Sequence, residues 1–408
     1  MSKSTRAALR TQDRSIRVLS VSMFNNLDGI SRRVLLVAKN LSRFGVETVI
    51  VAPVGPGQYA SVASQNHRTY QIALRVPREP SDIESLKADM AWFASFFGSV
   101  LGLRHVIRAE SVDIVHVNGL LSLQAAVAAR LTGRKLVWHL IGTAYSRILV
   151  WLLVPLVKLL ATKIILVADK LKRFYLVTDA DLREGRAVVI HEPVDTNRFD
   201  PSKVTNDSVE NMKKNFDIPS ASKVFGSAGN ITPFKGYEYL VRAAAIVQSK
   251  MKSQVRFVIA GLPIPTRANY LARLANEISR YGLDRKVIIA GWVEDMATFY
   301  SMLDVFVVPS IAEGTPLAIL EAMSMQLPVV ASDVGAISEQ VLHERTGLLV
   351  QPKDSTAIAS AIIRLCCDSR RRMMGKKARE YVVSAYGLER CASEHIRLYK
   401  NLLRSDDL

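Results

Sequence analysis

The run Asp304-Val305-Phe306-Val307-Val308-Pro309, continuing without a gap into Ser310-Ile311-Ala312-Glu313-Gly314-Thr315-Pro316-Leu317-Ala318-Ile319-Leu320-Glu321-Ala322-Met323, restricts the fold more than any other stretch of the chain. A short, apolar, β-branched segment of this kind makes a strand buried on both faces, as in parallel sheets. A helix follows directly. Thr315 suits the N-cap, Pro316 suits the first helical position because its missing N–H would be unpaired there, and Leu317, Leu320, Ala322 and Met323 supply an apolar face. A strand that passes straight into a helix is part of a β-α-β unit. Glu313 then lies just ahead of the helix and Glu321 inside it.

At about 1.5 Å per residue the two carboxylates are at most roughly 12 Å apart along the axis, with the free backbone N–H groups of the helix start between them. Such a start attracts phosphate. A carboxylate on each side of an anion site suits a ligand with hydroxyls at both ends and phosphates in the middle, which is the layout of a sugar-diphosphate-nucleoside. Two glutamates at this spacing also occur by chance in many helices, so the spacing alone does not decide.

The same alternation recurs along the chain. Ile16 to Ser22 reads as a strand, Asn25 to Gly29 as a loop, and Val34, Leu35, Ala38 and Leu41 as the face of a helix that begins near Ser31 and ends at Gly45. Thr48 to Ala52 completes the unit. Residues 53–112 are less regular, with a Pro/Gly loop over Pro53 to Gly57 and a helical stretch from about Asp82 to Ala109. Val112 to Asn118, Lys135 to Leu140, Lys163 to Ala168 and Ala187 to Ile190 read as further strands, with an Ala-rich helix over Ser122 to Leu131. After a polar run from Pro201 to Ser222, a second series begins: Lys223 to Gly229, Val255 to Gly261, Val287 to Val293, the organising strand, Pro328 to Ser332 and Thr346 to Val350. From Ser355 onward the pattern is helical, and Ile396, Leu398, Tyr399 and Leu402 give the last helix an apolar face.

A chain of 408 residues, 49% hydrophobic and 22% charged, can bury two full cores. Cys366, Cys367 and Cys391 form neither a metal spacing nor a disulfide framework, which fits a reducing compartment. Met1 to Arg14 is basic and polar without an apolar centre, so it reads as a flexible tail rather than a signal peptide. The net charge of +17 favours a polyanionic partner. Nucleic acid is not favoured, because basic and aromatic residues do not interleave in a recognisable motif; an anionic membrane surface remains. The apolar run Ile148 to Val157 stops at Lys158 and Lys163, short of the roughly 20 residues needed to span a bilayer. It is either an interfacial helix or a buried interdomain one.

The segment Glu313-Gly314-Thr315-Pro316 through Glu321 resembles the Glu-Gly-x-Pro-x-x-x-x-Glu pattern of the retaining glycosyltransferases of family 4 (glycosyl transferases group 1). The resemblance spans most of the chain and implies the α/β GT-B fold: two Rossmann-like domains facing across a cleft, with a C-terminal helix that returns to the first. His191-Glu192-Pro193-Val194-Asp195-Thr196-Asn197-Arg198-Phe199 resembles the interdomain crossing of that family. The expected layout is a tail over 1–15, an acceptor domain over 16–195, a donor domain over 196–385 and a returning helix over 386–408.

The resemblance also assigns roles. Glu313 contacts the donor sugar and Glu321 the nucleotide ribose, with Gly314, Thr315, Pro316 and Leu317 between them. Lys235 lies on the donor diphosphate. Asn230 stands where the family has Arg, which removes a charge and a bidentate fork. Gly29 is what remains of a glycine-rich loop near the donor phosphates. Ligand groups gather at strand carboxyl ends in such sheets. His139 stands where the family places a histidine facing the donor sugar, whereas His116, mid-strand among aliphatic neighbours, reads as a hydrogen-bonded core histidine.

These readings make the chain a retaining glycosyltransferase that moves a sugar from a nucleotide-sugar donor to a glycan or lipid-linked acceptor in envelope polysaccharide synthesis. It would act in the cytoplasm, peripheral on the cytoplasmic face of the membrane. The resemblance also implies that no cofactor or metal takes part, which fits a sequence in which no Asp-x-Asp stands at a strand end and no His/carboxylate cluster offers divalent ligands. A nucleotide-sugar epimerase of the same fold is disfavoured by the Glu313 to Glu321 pattern. The alternative from another class is a catalytically silent scaffold of an envelope-assembly complex, to which Asn230 and the lone Gly29 point.

Overall fold

The computed structural model describes residues 15–404 except 26–28, 56, 75–82, 144, 252 and 264–267, and residues 83–94 by their backbone. The basic tail and part of the loop ahead of the first helix therefore lie outside the described residues. The chain separates into two compact units, one ending at His191 and resuming at Glu389, the other running from Glu192 to Leu388. Each is built on one parallel sheet.

In the first unit β1 (Ile16–Ser22), α1 (Gly29–Ser42) and β2 (Val46–Pro53) form the opening β-α-β. Then come α2 (Tyr59–Ser64), β3 (Thr69–Ile72), α3 (Ile83–Ala109), β4 (Ile114–Asn118), α4 (Leu123–Leu131) and β5 (Lys135–Leu140). The series closes with α5 (Arg147–Leu160), β6 (Lys163–Leu166), α6 (Asp179–Arg183) and β7 (Ala187–Val189). The strand order is β3-β2-β1-β4-β5-β6-β7 with parallel pairing throughout. Periodicity did not anticipate α2 or β3. β3 is a four-residue edge strand with no fully buried position, so it lacks the continuous apolar run that marks the central strands. The loop expected at Asn25 to Gly29 is shorter than the sequence suggests, since α1 already begins at Gly29.

The second unit opens with α7 (Asn206–Asn215) and continues through β8 (Lys223–Ala228), α8 (Tyr237–Lys250), β9 (Val255–Ala260), α9 (Ala268–Arg280) and β10 (Val287–Gly291). It goes on with α10 (Met296–Ser301), β11 (Val305–Val308), α11 (Leu317–Ser324), β12 (Val329–Ser332), α12 (Ile337–Gln340) and β13 (Gly347–Val350), followed by α13 (Ser355–Arg364) and α14 (Asp368–Ala385). Its strand order is β10-β9-β8-β11-β12-β13. Both faces of this sheet are covered. Val305 and Val307 enter one core with Leu240 and Ile358, while Phe306 and Val308 enter the other with Ile319, Leu320 and Met323. Alternate residues of a strand point to opposite faces, so a strand with two covered faces must be apolar at every position.

The last helix, α15 (Leu388–Arg404), buries Cys391, Ala392, Leu398, Tyr399 and Leu402 among Val18, Val37, Leu41, Ile114 and Val137 of the first unit. This is the return that the apolar face of the last helix led us to expect. A polar joint lies inside the contact. His395 of α15 stacks on His116 of β4 with ring centroids 5.8 Å apart, and His116 Nε2 lies 3.2 Å from His139 Nδ1 on β5. Tyr399 Oη meets His116 Nδ1 at 2.6 Å, and the guanidinium of Arg33 from α1 lies 3.2 Å from His395 Nε2. Chain order hid this cluster, whose ligand atoms on His116, His139 and His395 all lie within 4.8 Å of one another, where no His/carboxylate cluster with divalent ligands was expected. Arg33 sets a permanent cation beside them, which opposes a second positive charge there. The cluster is a packing joint, with His116 the hydrogen-bonded core histidine its neighbours implied.

Burial is the main cause that holds all three imidazoles neutral, assisted by the charge of Arg33; His395 is pushed down to about 3, and His116 and His139 lie well below their ordinary value. A folded-state value below the unfolded one means that the unfolded chain takes up protons first on acidification, so stability is lost as pH falls below about 6.5. Each ring contributes up to about 1.4 kcal/mol per pH unit in that window. Melting of the first unit should therefore drop between pH 7 and pH 5, and His395→Gln should lower the slope by about one proton. Identical slopes for the two proteins would place His395 outside the buried joint.

Candidate active site

In the second unit, the loops that leave β8, β11 and β12 converge. Lys235 closes the 3-10 turn Pro233–Lys235 after β8, and Glu313 lies between β11 and α11. Lys235 Nζ is 2.6 Å from Glu313 Oε1, and Ser310 Oγ donates to the same oxygen at 2.8 Å. The Glu313 side chain is 11% exposed and that of Lys235 25%, so the pair remains open to a ligand from one side. Tyr237, which opens α8, donates to the Gly229 carbonyl at 2.9 Å. Burial and, after it, the Glu313 charge push its hydroxyl well above the usual range and keep it a donor. On α11, Glu321 accepts a hydrogen bond from the buried Tyr300 hydroxyl at 2.8 Å.

Backbone contacts decide where these side chains can stand. At Gly335, where φ is +59°, a Cβ would lie 1.9 Å from the Glu313 carbonyl oxygen. Only glycine allows that approach. Ala336 N–H then donates to Gly314 O at 3.0 Å, and the Gln340 side chain to Pro316 O at 3.4 Å. These bonds hold the segment ahead of the helix in place and correct the expected cap. Thr315 does not cap α11 and Pro316 is not its first helical residue: Pro316 is the N-cap, with ψ 118° and no side-chain hydrogen bond, and the helix starts at Leu317. Ile319 N–H already donates to Pro316 O at 3.2 Å, so the N–H groups of Leu317 and Ala318 are the ones that a helix start leaves without intrahelical acceptors.

A second close approach fixes the loop that carries Asn230. Gly261, at φ +154°, would bring a Cβ within 1.9 Å of Gly229 O, so the end of β9 presses on the loop that carries Asn230. Asn230 itself is exposed. Gly261 N–H donates to Gly291 O at 2.7 Å, which ties the end of β9 to the end of β10. Gly314, Thr315, Pro316 and Leu317 are all half-buried.

The structure thus gathers Lys235, Glu313, Gly314, Thr315, Pro316, Leu317 and Glu321 around one helix start. Gly29 and His139 belong to the other unit. Gly29 is exposed at the first position of α1, and His139 has no exposed surface; its Nε2 is buried without a hydrogen-bond partner. Sequence reasoning missed Ser310, Tyr237, Tyr300 and Gly335. Ser310, three residues ahead of Glu313, could have been found from its proximity. Tyr300 and Gly335 could not, because each reaches the site from a different loop or helix.

Parallel sheets with ligand-competent loops at the strand carboxyl ends, built twice in one chain, define a GT-B protein. The family described as "Glycosyl transferases group 1" matches residues 208–381, and the "Glycosyl transferase 4-like domain" matches residues 28–180. The chain belongs to this family and is a retaining glycosyltransferase of the family 4 type. It is 27% identical to the UDP-Gal:alpha-D-GlcNAc-diphosphoundecaprenol alpha-1,3-galactosyltransferase of Escherichia coli, over 75% of this chain and 79% of that one. It is also 27% identical to the lipopolysaccharide 1,2-N-acetylglucosaminetransferase of Salmonella typhimurium, over 74% and 76%. Among solved structures, Anabaena HepE in complex with UDP and glucose superposes with a TM-score of 0.77 at 19% identity, covering 94% of this chain and 99% of that one.

Gly335→Ala tests the backbone constraint. A Cβ at that position must displace the Glu313 carbonyl, so we expect a loss of roughly 1–3 kcal/mol in stability and a fall in sugar transfer of at least about tenfold from misplacement of Glu313. Calorimetry and a transfer assay read the two effects, and wild-type behaviour in both would refute the close contact.

Proposed function

We propose that the chain transfers a sugar from a nucleotide-diphosphate-sugar to a lipid-linked glycan acceptor in cell-envelope polysaccharide synthesis, with the donor held by the second unit. The observation that carries this reading is the Lys235–Glu313 pair at 2.6 Å beside the start of α11. When the donor enters, Glu313 meets the hydroxyls of the sugar and Lys235 turns to the diphosphate, whose developing charge it shares with the N–H groups at the start of α11. Glu321, oriented by Tyr300, accepts from the ribose hydroxyls. Asn230 supplies one amide donor where a guanidinium would supply a fork. His139 stays a neutral imidazole in the buried joint of the first unit.

The acceptor class is supported by the two relatives, one named for a diphosphoundecaprenol acceptor and one for lipopolysaccharide. In this reading no metal or other cofactor takes part, since Lys235 and the helix start carry the leaving-group charge. The enzyme works at the cytoplasmic face, which the three free thiols Cys366, Cys367 and Cys391 favour. No described helix is long and apolar enough to cross a membrane. Asn230 pointed to the scaffold alternative, but a chain relieved of donor binding has no need to keep Lys235, Ser310 and Glu313 in register.

A thermal-shift panel of UDP, GDP, ADP and their sugars identifies the donor, because a ligand at a hundred times its dissociation constant stabilises by about 2.7 kcal/mol. With that donor, Glu313→Gln should lose on the order of a hundredfold or more in transfer rate while melting normally. Glu321→Ala should instead weaken donor binding by roughly 1–3 kcal/mol. Lys235→Ala should cost about 10³-fold, since Asn230 leaves it the main side-chain cation on the diphosphate, and Asn230→Arg should tighten donor binding. A protein that no nucleotide stabilises, and that gains no binding from Asn230→Arg, would end this reading.

A further inference from the structure

The helix α5 is apolar on both sides, yet it buries only one of them. Val150, Val154 and Val157 are fully buried, whereas Ile148, Trp151, Leu152, Leu156 and Leu159 are 73%, 67%, 54%, 39% and 71% exposed. Their spacing of three and four residues sets these five side chains on one continuous stripe, and no charged residue interrupts it between Arg147 and Lys158. A contiguous apolar patch of this kind marks an interaction surface. At its N-terminal end the stripe borders an open cavity of about 300 Å³ lined by Arg147, Ile148, Val150, Trp151, Phe174 and Leu176, with the Arg147 guanidinium 5.7 Å from the Phe174 ring.

Charge frames the stripe on both ends. Arg147 stands at its start, the exposed Arg173 lies beside Phe174, and Arg130 reaches the Leu159 carbonyl at 3.1 Å at its end. The carboxylates close by are paired: Asp181 with Lys158 at 2.8 Å, while Asp179 and Asp169 share Lys172 at 2.7 Å and 3.0 Å, which leaves one negative charge against the three arginines. What remains around the apolar face is positive. A second copy of the chain docked there would cover the stripe but bring arginines against arginines. An anionic lipid surface answers both the apolar stripe and the arginines. The 14 residues of α5 span about 21 Å, less than the roughly 30 Å hydrocarbon core, so the helix is suited to lie in the interface rather than cross it.

We propose that the exposed face of α5 seats the protein on an anionic membrane surface, with Ile148, Trp151, Leu152 and Leu159 inserted at the headgroup boundary and Arg130, Arg147 and Arg173 against lipid phosphates. This contact is independent of the donor and acceptor reading, and vesicles that hold neither substrate test it. Full-length protein is floated with phosphatidylcholine vesicles, with or without phosphatidylglycerol, at about 20 mM and about 500 mM salt, between which the Debye length falls from roughly 20 Å to about 4 Å. We expect flotation with the anionic vesicles at low salt. High salt or omission of the anionic lipid should weaken it at least about tenfold, since each surface-proximal cation adds roughly fivefold.

Trp151→Glu combined with Leu152→Glu should abolish flotation and leave circular dichroism and melting temperature unchanged, because both side chains are exposed. Protein that stays in the soluble fraction with anionic vesicles at low salt overturns the proposal. Equal flotation of wild type and the double variant also overturns it, by placing the contact elsewhere. A concentration-dependent dimer in sedimentation that the same double variant dissociates would assign the face to a second copy of the chain and overturn it as well.

Discussion

The candidate site depends on how closely the loops at the carboxyl ends of the second sheet are packed. Glu313 can meet Lys235 and Ser310 only because the turn after β12 crosses its carbonyl at a distance no side chain would tolerate, with Gly335 at the crossing. The same device holds the Asn230 loop, where Gly261 lies against Gly229. Parallel strands deliver their loops to one edge of the sheet, and the two absent side chains let the backbones touch there. The ion pair is a consequence of that backbone geometry. For a part-buried pair of this kind desolvation offsets much of the Coulomb attraction, so its value lies in keeping both charges aimed at one place.

The first unit solves a different problem. Its last helix comes from the far end of the chain and is held by an apolar face plus a neutral, buried group of three histidines, a tyrosine and an arginine. Three imidazoles within 4.8 Å look like a ligand set until Arg33 is considered. The guanidinium beside His395 makes the neutral form the stable one, and neutral imidazoles can hydrogen-bond one another without mutual repulsion. His139 belongs to this group, with its Nε2 buried and without a hydrogen-bond partner.

On α5, packing and solvent exposure part company. The helix satisfies the sheet with three valines, and its other apolar side chains have no intramolecular use. From the sequence a run of this length fits a buried helix and an interfacial one equally well, because hydropathy does not say which side of a helix is covered. Exposure, together with the pairing of the nearby carboxylates, separates them.

Most of the architecture was legible before any coordinates. A sheet covered on both faces requires uninterrupted β-branched runs, so β1, β4, β5, β8, β9, β11, β12 and β13 announce themselves, as does α15 through its apolar face. The edge strand β3 and the short α2 did not, because a half-buried edge imposes no strong pattern. At the site, Glu313, Glu321 and Lys235 were singled out by the resemblance of their segments to the family pattern, which their spacing alone would not have done. The tertiary structure alone decided what holds them. Tyr300 reaching Glu321, Gly335 yielding to Glu313, Pro316 rather than Thr315 capping α11 and His395 joining His116 all arise between segments distant in sequence, and their contacts are set by how strands and loops stack, which no local pattern encodes.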